Sequence, residues 1–224
     1  MAAQQAPAKE LFREAFENRY TWDKDFPGYQ AEIAYFPKEG DSSLSFSGVV
    51  SIDRNMKIDI AGVEDEEIRQ KIREQMWEIM VHRVRHSFDE EHGGHTFVYG
   101  EPQNSDITEV LVSGLSSTDR YWVQDKHIQR VHRHLANRTI TVSVQEFYDT
   151  GEGYLPTHYT AEYGSPGTEE KTQAKMIYED RYQKIGRYWI PVERRIWEEQ
   201  DGKKSASPQL FLFSNIRFFE WLGK

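Results

Sequence analysis

From Tyr29 almost to the C-terminus, apolar and polar side chains alternate with a period of two. Tyr29, Ala31, Ile33 and Tyr35 alternate with Gln30, Glu32 and Ala34; Leu44, Phe46, Gly48, Val50 and Ile52 follow, then Met56, Ile58 and Ile60. Successive side chains of a strand point to opposite faces, so this spacing predicts half-buried antiparallel strands. Strands are expected at 29–36, 43–52 and 56–61, separated by the turn-forming stretches Lys38-Glu39-Gly40-Asp41 and Asp53-Arg54-Asn55.

The period changes twice. Ala8, Leu11, Phe12, Ala15, Phe16 and Tyr20 follow helical spacing, which predicts an amphipathic helix over 8–19 behind a disordered start at 1–7. From Val63 onward Ile68, Ile72, Met76, Ile79 and Met80 share a second helical face. Acids at 64–67 open that helix, and His82, Arg83, Arg85 and His86 close it, which complements the helix dipole at both ends. After Gly93-Gly94 the chain reads as extended at 96–99, 107–113, 121–135, 139–148, 158–163, 175–182, 187–197 and 209–219. No linker or repeat marks a second domain, so one α+β domain is expected over 1–224. A wide sheet curls rather than staying flat, and one of its faces needs a cover. The expected architecture is therefore a large curved antiparallel sheet of ~10 strands, a half-barrel, packed on an N-terminal helix and one long helix.

Composition narrows the function. The chain has 224 residues, a net charge of −9 and 13% aromatics, so aromatic rings carry much of the core and a general nucleic-acid binder is excluded. With no cysteine, disulfides, thiolate catalysis and cysteine-ligated metals are impossible. No window approaches the ~20 apolar residues of a membrane span, and Met1 to Glu10 lacks the apolar stretch of a signal peptide. A soluble cytoplasmic protein is expected, or one of the plastid stroma if a transit peptide has been removed.

The run Arg19-Tyr20-Thr21-Trp22 with Phe26-Pro27-Gly28-Tyr29, the strand Phe46-Ser47-Gly48-Val49-Val50 and the segment from Tyr182 to Pro191 resemble a family of uncharacterised proteins of photosynthetic organisms, a domain of unknown function. This resemblance spans nearly the whole chain and implies no activity. The same hairpin followed by Leu212-Phe213-Ser214-Asn215-Ile216 is similar, over mainly the C-terminal third, to outer-membrane lipoprotein-sorting carriers. That similarity implies an open barrel that holds acyl chains; the export signal of such carriers is missing at this N-terminus.

Two clusters could carry chemistry. His82, His86, His92 and His95, with Asp89, Glu90 and Glu91 among them, offer imidazole and carboxylate ligands for zinc, iron or manganese. On a continuous helix His82 and His86 would sit on neighbouring turns, although the His-Glu-x-x-His order of metalloproteases is absent. The competing view is a core histidine at His86 and a solvated helix end. The second cluster is Lys126, His127, Arg130, His132, Arg133, His134 and Arg138 on one expected strand. Alternation places Lys126, Ile128, Arg130, His132 and His134 on one face, a positive stripe suited to a carboxylate or phosphate. Cross-strand pairing with surface acids is the bland alternative. Trp77 and Trp122, among the six tryptophans, would line a pocket if the sheet enclosed a hollow, or fill a solid core if it did not. No nucleophile elbow, phosphate loop or dinucleotide fingerprint occurs.

The leading expectation is a non-enzymatic binding or carrier protein for a hydrophobic or amphipathic small molecule, its cofactor, if any, and its protein partner unspecified. A histidine-site metal-dependent enzyme and an assembly factor acting through a strand edge or the aromatic segment 218–221 are the alternatives.

Overall fold

The structure, a computed structural model, describes residues 7–101, 106–114, 118–135, 137–165 and 171–220, at 171–173 by backbone alone. Residues 1–6 of the expected disordered start, and Trp221, lie outside the described residues. In chain order the elements are α1 (Ala8–Glu17), β1 (Gly28–Phe36), β2 (Phe46–Asp53), β3 (Ile58–Ala61), α2 (Glu66–Val81), α3 (Phe88–His92), β4 (Thr96–Tyr99), β5 (Thr108–Ser113), β6 (Thr118–Gln124), β7 (His127–His134), β8 (Thr139–Asp149), β9 (Tyr154–Gly164), β10 (Lys171–Ile185), β11 (Tyr188–Gln200), β12 (Lys203–Lys204) and β13 (Gln209–Phe218). The strands form one open 13-stranded sheet in the order β3-β2-β1-β13-β11-β10-β9-β8-β7-β6-β5-β4, with β12 paired to β11 off this path. An α+β fold on a large antiparallel sheet is thus what the alternation predicts.

Three local differences matter for the site. The stretch expected as one strand over 121–135 is two, β6 and β7, joined by a two-residue turn at Asp125 (φ 48°) and Lys126 (φ 61°). Positive φ at both central residues is the turn that matches the twist of a hairpin, and it usually announces itself with Gly or Asn. Here neither is present; the side-chain amide of Asn18 donates to the carbonyl of Lys126 at 3.1 Å and helps hold the turn.

Second, α2 ends at Val81, not beyond His86. Its start is capped by Asp65, whose carboxylate accepts from the Ile68 N–H at 3.1 Å. At the other end the amides of Arg83 and Val84 both donate to the Met80 carbonyl, which closes the helix one turn early. Third, the segment after it folds into the short helix α3, entered through a capping box between Ser87 and Glu90.

The chain divides into two compact units. The first comprises 1–20, 86–177 and 198–203. Its core joins Phe12 and Phe16 of α1 and Phe88 of α3 to one face of the sheet, through Val110 and Val112 on β5 and Tyr121 and Val123 on β6. Phe97, Tyr99, Ile128 and Val131 pack against this cluster. The second unit comprises 21–85, 178–197 and 204–224. Tyr29, Ile33 and Tyr35 of β1, Val50 and Ile52 of β2, and Phe211 and Phe213 of β13 are buried there, as are Ile68, Ile72, Met76 and Ile79 of α2. Each large ring among them removes roughly 150–250 Å² from water, which compensates for a modest aliphatic content. β1 begins at Gly28 (φ 82°), where an added Cβ would run into the Ile52 carbonyl, so the break that launches the sheet requires glycine.

Candidate functional site

Strand register in the first unit fixes which side chains of the basic cluster meet. Trp122 on β6 lies opposite Arg130 on β7, Arg120 opposite His132, and Arg130 and His132 in turn oppose Ser143 and Thr141 on β8. On the other side Glu109 of β5 opposes Trp122, and the row through Arg120 continues to Leu111 and Val98. All these residues share the sheet face opposite the α1 and α3 core.

The expected stripe is therefore split. A register shift between Trp122 and Val123 sets Ile128 opposite Val123 and Arg130 opposite Trp122, so Ile128 turns into the core while Arg130, His132 and His134 face the other way. Lys126 sits in the turn and its ammonium lies 3.5 Å from Glu14 of α1. Alternation alone could not show this, because one extra residue reverses the phase of everything beyond it.

What remains on the face is a compact constellation. The Arg120 and Arg130 guanidinium groups lie 5.1 and 4.8 Å from the centre of the half-buried Trp122 indole, within cation–π range. Arg120 also donates from Nε to Glu109 Oε1 at 2.6 Å, and the Glu109 side chain is only 1% exposed. The Glu101 N–H donates to the other Glu109 oxygen at 3.1 Å, so this buried carboxylate is paired and hydrogen-bonded. His132 Nδ1 lies 2.8 Å from Thr141 Oγ1, and its ring centre 5.0 Å from that of His134. Burial, then the neighbouring His134 and the two arginines, push the His132 pKa down. His134 lies beside Asp119, its backbone N–H donating to that carboxylate at 2.9 Å, and Arg133 reaches the same acid at 3.3 Å.

The four histidines of the other cluster do not converge in the same way. His82 is the C-cap of α2 and exposed, and His86 is exposed in the following loop, so the helical spacing expected of them is absent. The core histidine is His92, not His86. It is 7% exposed at the end of α3, with the rings of Phe12 and Phe16 at 5.1 and 5.0 Å. Its Nδ1 lies 3.0 Å from His95 Nδ1, so one nitrogen donates and the other accepts. Burial first, and the neighbouring His95 second, push its pKa down to about 4. Among the described residues no group of three or more His, Asp or Glu is arranged to hold a metal ion. Trp77 is on the outer face of α2, 54% exposed.

Sequence reasoning missed a polar network buried in the second unit. Arg194 of β11, 3% exposed, donates from Nε and Nη2 to the two oxygens of Asp180 on β10 at 2.8 and 2.7 Å. Its Nη1 donates to Gln75 Oε1 of α2 at 3.0 Å and lies 3.6 Å from Glu78. The Tyr182 hydroxyl donates to Asp180 at 3.2 Å and accepts from Arg83 at 2.9 Å. The fork-to-fork pair ties β11 to β10, and the separate bond from Nη1 to Gln75 joins α2 to the same guanidinium. The available signal was Asp180, a charge in phase with Tyr178 and Tyr182 on the same strand face.

Fold and site together define an α+β protein built on one large antiparallel sheet, with a basic and aromatic face in its first unit. The chain belongs to the family described as protein of unknown function DUF3386, whose model matches residues 3–219. No curated protein matches it, and no solved structure does. No helix among the described residues is long and apolar enough to cross a membrane.

Proposed function

We propose that the protein binds or carries a small amphipathic molecule on the β4–β9 face, without acting on it chemically. The observation that carries this reading is Trp122 with a guanidinium group on either strand position beside it, 5.1 and 4.8 Å from its ring, in a chain whose net charge is −9. A half-buried indole, the half-buried Leu111 and the 55% exposed Val98 give an apolar strip, and Arg130, His132 and His134 give it a polar end. Apolar surface with a few convergent polar groups is the general make-up of small-molecule sites.

The test has two arms. Organic extraction of protein purified under native conditions, followed by mass spectrometry, should return an amphipathic compound near one equivalent. Titration with the fluorescent amphiphile 1-anilinonaphthalene-8-sulfonate should saturate, and Trp122→Ala should weaken it about tenfold, the loss of roughly 1.4 kcal/mol. No extractable compound together with unsaturable binding would sink the reading.

A further inference from the structure

We infer that the molecule recognised by this face carries a single negative charge, a carboxylate, and that Arg130 is the group that receives it. The inference rests on the binding reading above and deepens it. It follows from matching each charge on the face to its neighbour. Arg120 is neutralised by the buried Glu109. Asp119, opposite the core residue Val112, and Arg133 pair with each other on the α1 and α3 side of the sheet, with His134 at 3.9 Å from that carboxylate. Lys126 is engaged with Glu14 on the opposite side of the sheet. His132 is bonded to Thr141, and its lowered pKa keeps it uncharged at neutral pH. Arg130 is left over: it stacks on Trp122, and among the described residues it forms no ion pair with a carboxylate.

Arg130 thus presents a positive charge that no carboxylate among the described residues pairs with. A neutral ligand would leave that charge uncompensated as it covered the guanidinium, and desolvating a charge without a partner is costly. A phosphate monoester, close to a dianion, would bring a second negative charge toward Glu109 and Glu162, the latter facing Thr141 across β8 and β9. A monoanion matches the single charge of Arg130. The planar fork of arginine matches the two oxygens of a carboxylate, and Ser143, directly opposite Arg130, places a hydroxyl donor beside it.

The experiment compares three decyl compounds at pH 8, decanoate, decanol and decyl phosphate, by calorimetry with the full chain. Decanoate should bind about tenfold more tightly than either of the others, the scale of one charge-assisted contact. Arg130→Gln should abolish the preference for acid over alcohol, and Arg130→Lys should restore part of it, with unchanged circular dichroism in both. Decyl phosphate binding as tightly as decanoate, or an acid preference that survives Arg130→Gln, would overturn the carboxylate assignment while leaving the binding reading intact. If none of the three compounds binds, the binding reading itself fails.

Discussion

At the scale of single residues, Asp180 and Arg194 are charged side chains only 3% exposed each. Two charges taken out of water recover their hydration only through each other, and removing one leaves the other stranded. Asp180→Ala should lower stability by about 3 kcal/mol, toward the low end of that class because Glu78 stays 3.6 Å from Arg194. The double change Asp180→Leu with Arg194→Met should recover most of the loss, since apolar groups of similar volume need no partner. Denaturant midpoints of the wild type and the two variants decide the matter: an unperturbed Asp180→Ala would mean that the buried pair adds nothing to stability. These residues were hard to read from sequence for a physical reason. Period two marks the face of a strand, but a charge in phase with apolar positions looks the same whether it meets water or a buried partner from another element. Arg130 is the converse case, legible by type as an anion ligand but not by neighbourhood, because its pairing with Trp122 depends on a bulge.

At the scale of elements, α3 is held through a histidine whose protonation should destabilise it. His92 joins it to α1 through Phe12 and Phe16, and to the loop that follows through His95. Its folded-state pKa, about 4, is below the ordinary 6.5, so the neutral ring is the stabilising form. The contribution is complete above pH 6.5 and is lost as pH falls from there toward 4, with a slope approaching about 1.4 kcal/mol per pH unit. Asp119 softens this and Arg19 and Arg133 sharpen it; the Glu91 carboxylate lies 3.8 Å from the ring's Nε2. Stability measured between pH 7 and 4.5 should fall less steeply in His92→Phe than in the wild type; equal slopes would assign the acid sensitivity to other groups. That both long elements of α type and most strands were legible follows from their periodicity, which runs over many residues. α3, at five residues, is too short to show one, and the turn at 125–126 carries no Gly or Asn to interrupt the alternation.

At the scale of the whole molecule, connectivity argues for one folding unit despite the two compact ones. The chain passes between the units after Tyr20 and after Arg85, and inside three strands: β10, after Ile177, β11, after Trp197, and the short β12, after Lys203; the long strands are β10 and β11. Neither strand can lose its ladder in one unit without presenting a frayed end to the other, because each is continuous backbone across the boundary. Unfolding should therefore be a single cooperative transition, with tryptophan fluorescence and circular dichroism giving coincident curves. The stricter test uses Asp180→Ala, a change confined to the second unit. If the units are coupled through these strands, hydrogen exchange in β5 and β6 of the first unit should speed up by the same free energy as the variant loses globally. Two resolved transitions, or β5 and β6 protected as before while β1 and β13 open, would instead make the units independent domains that merely share two long strands.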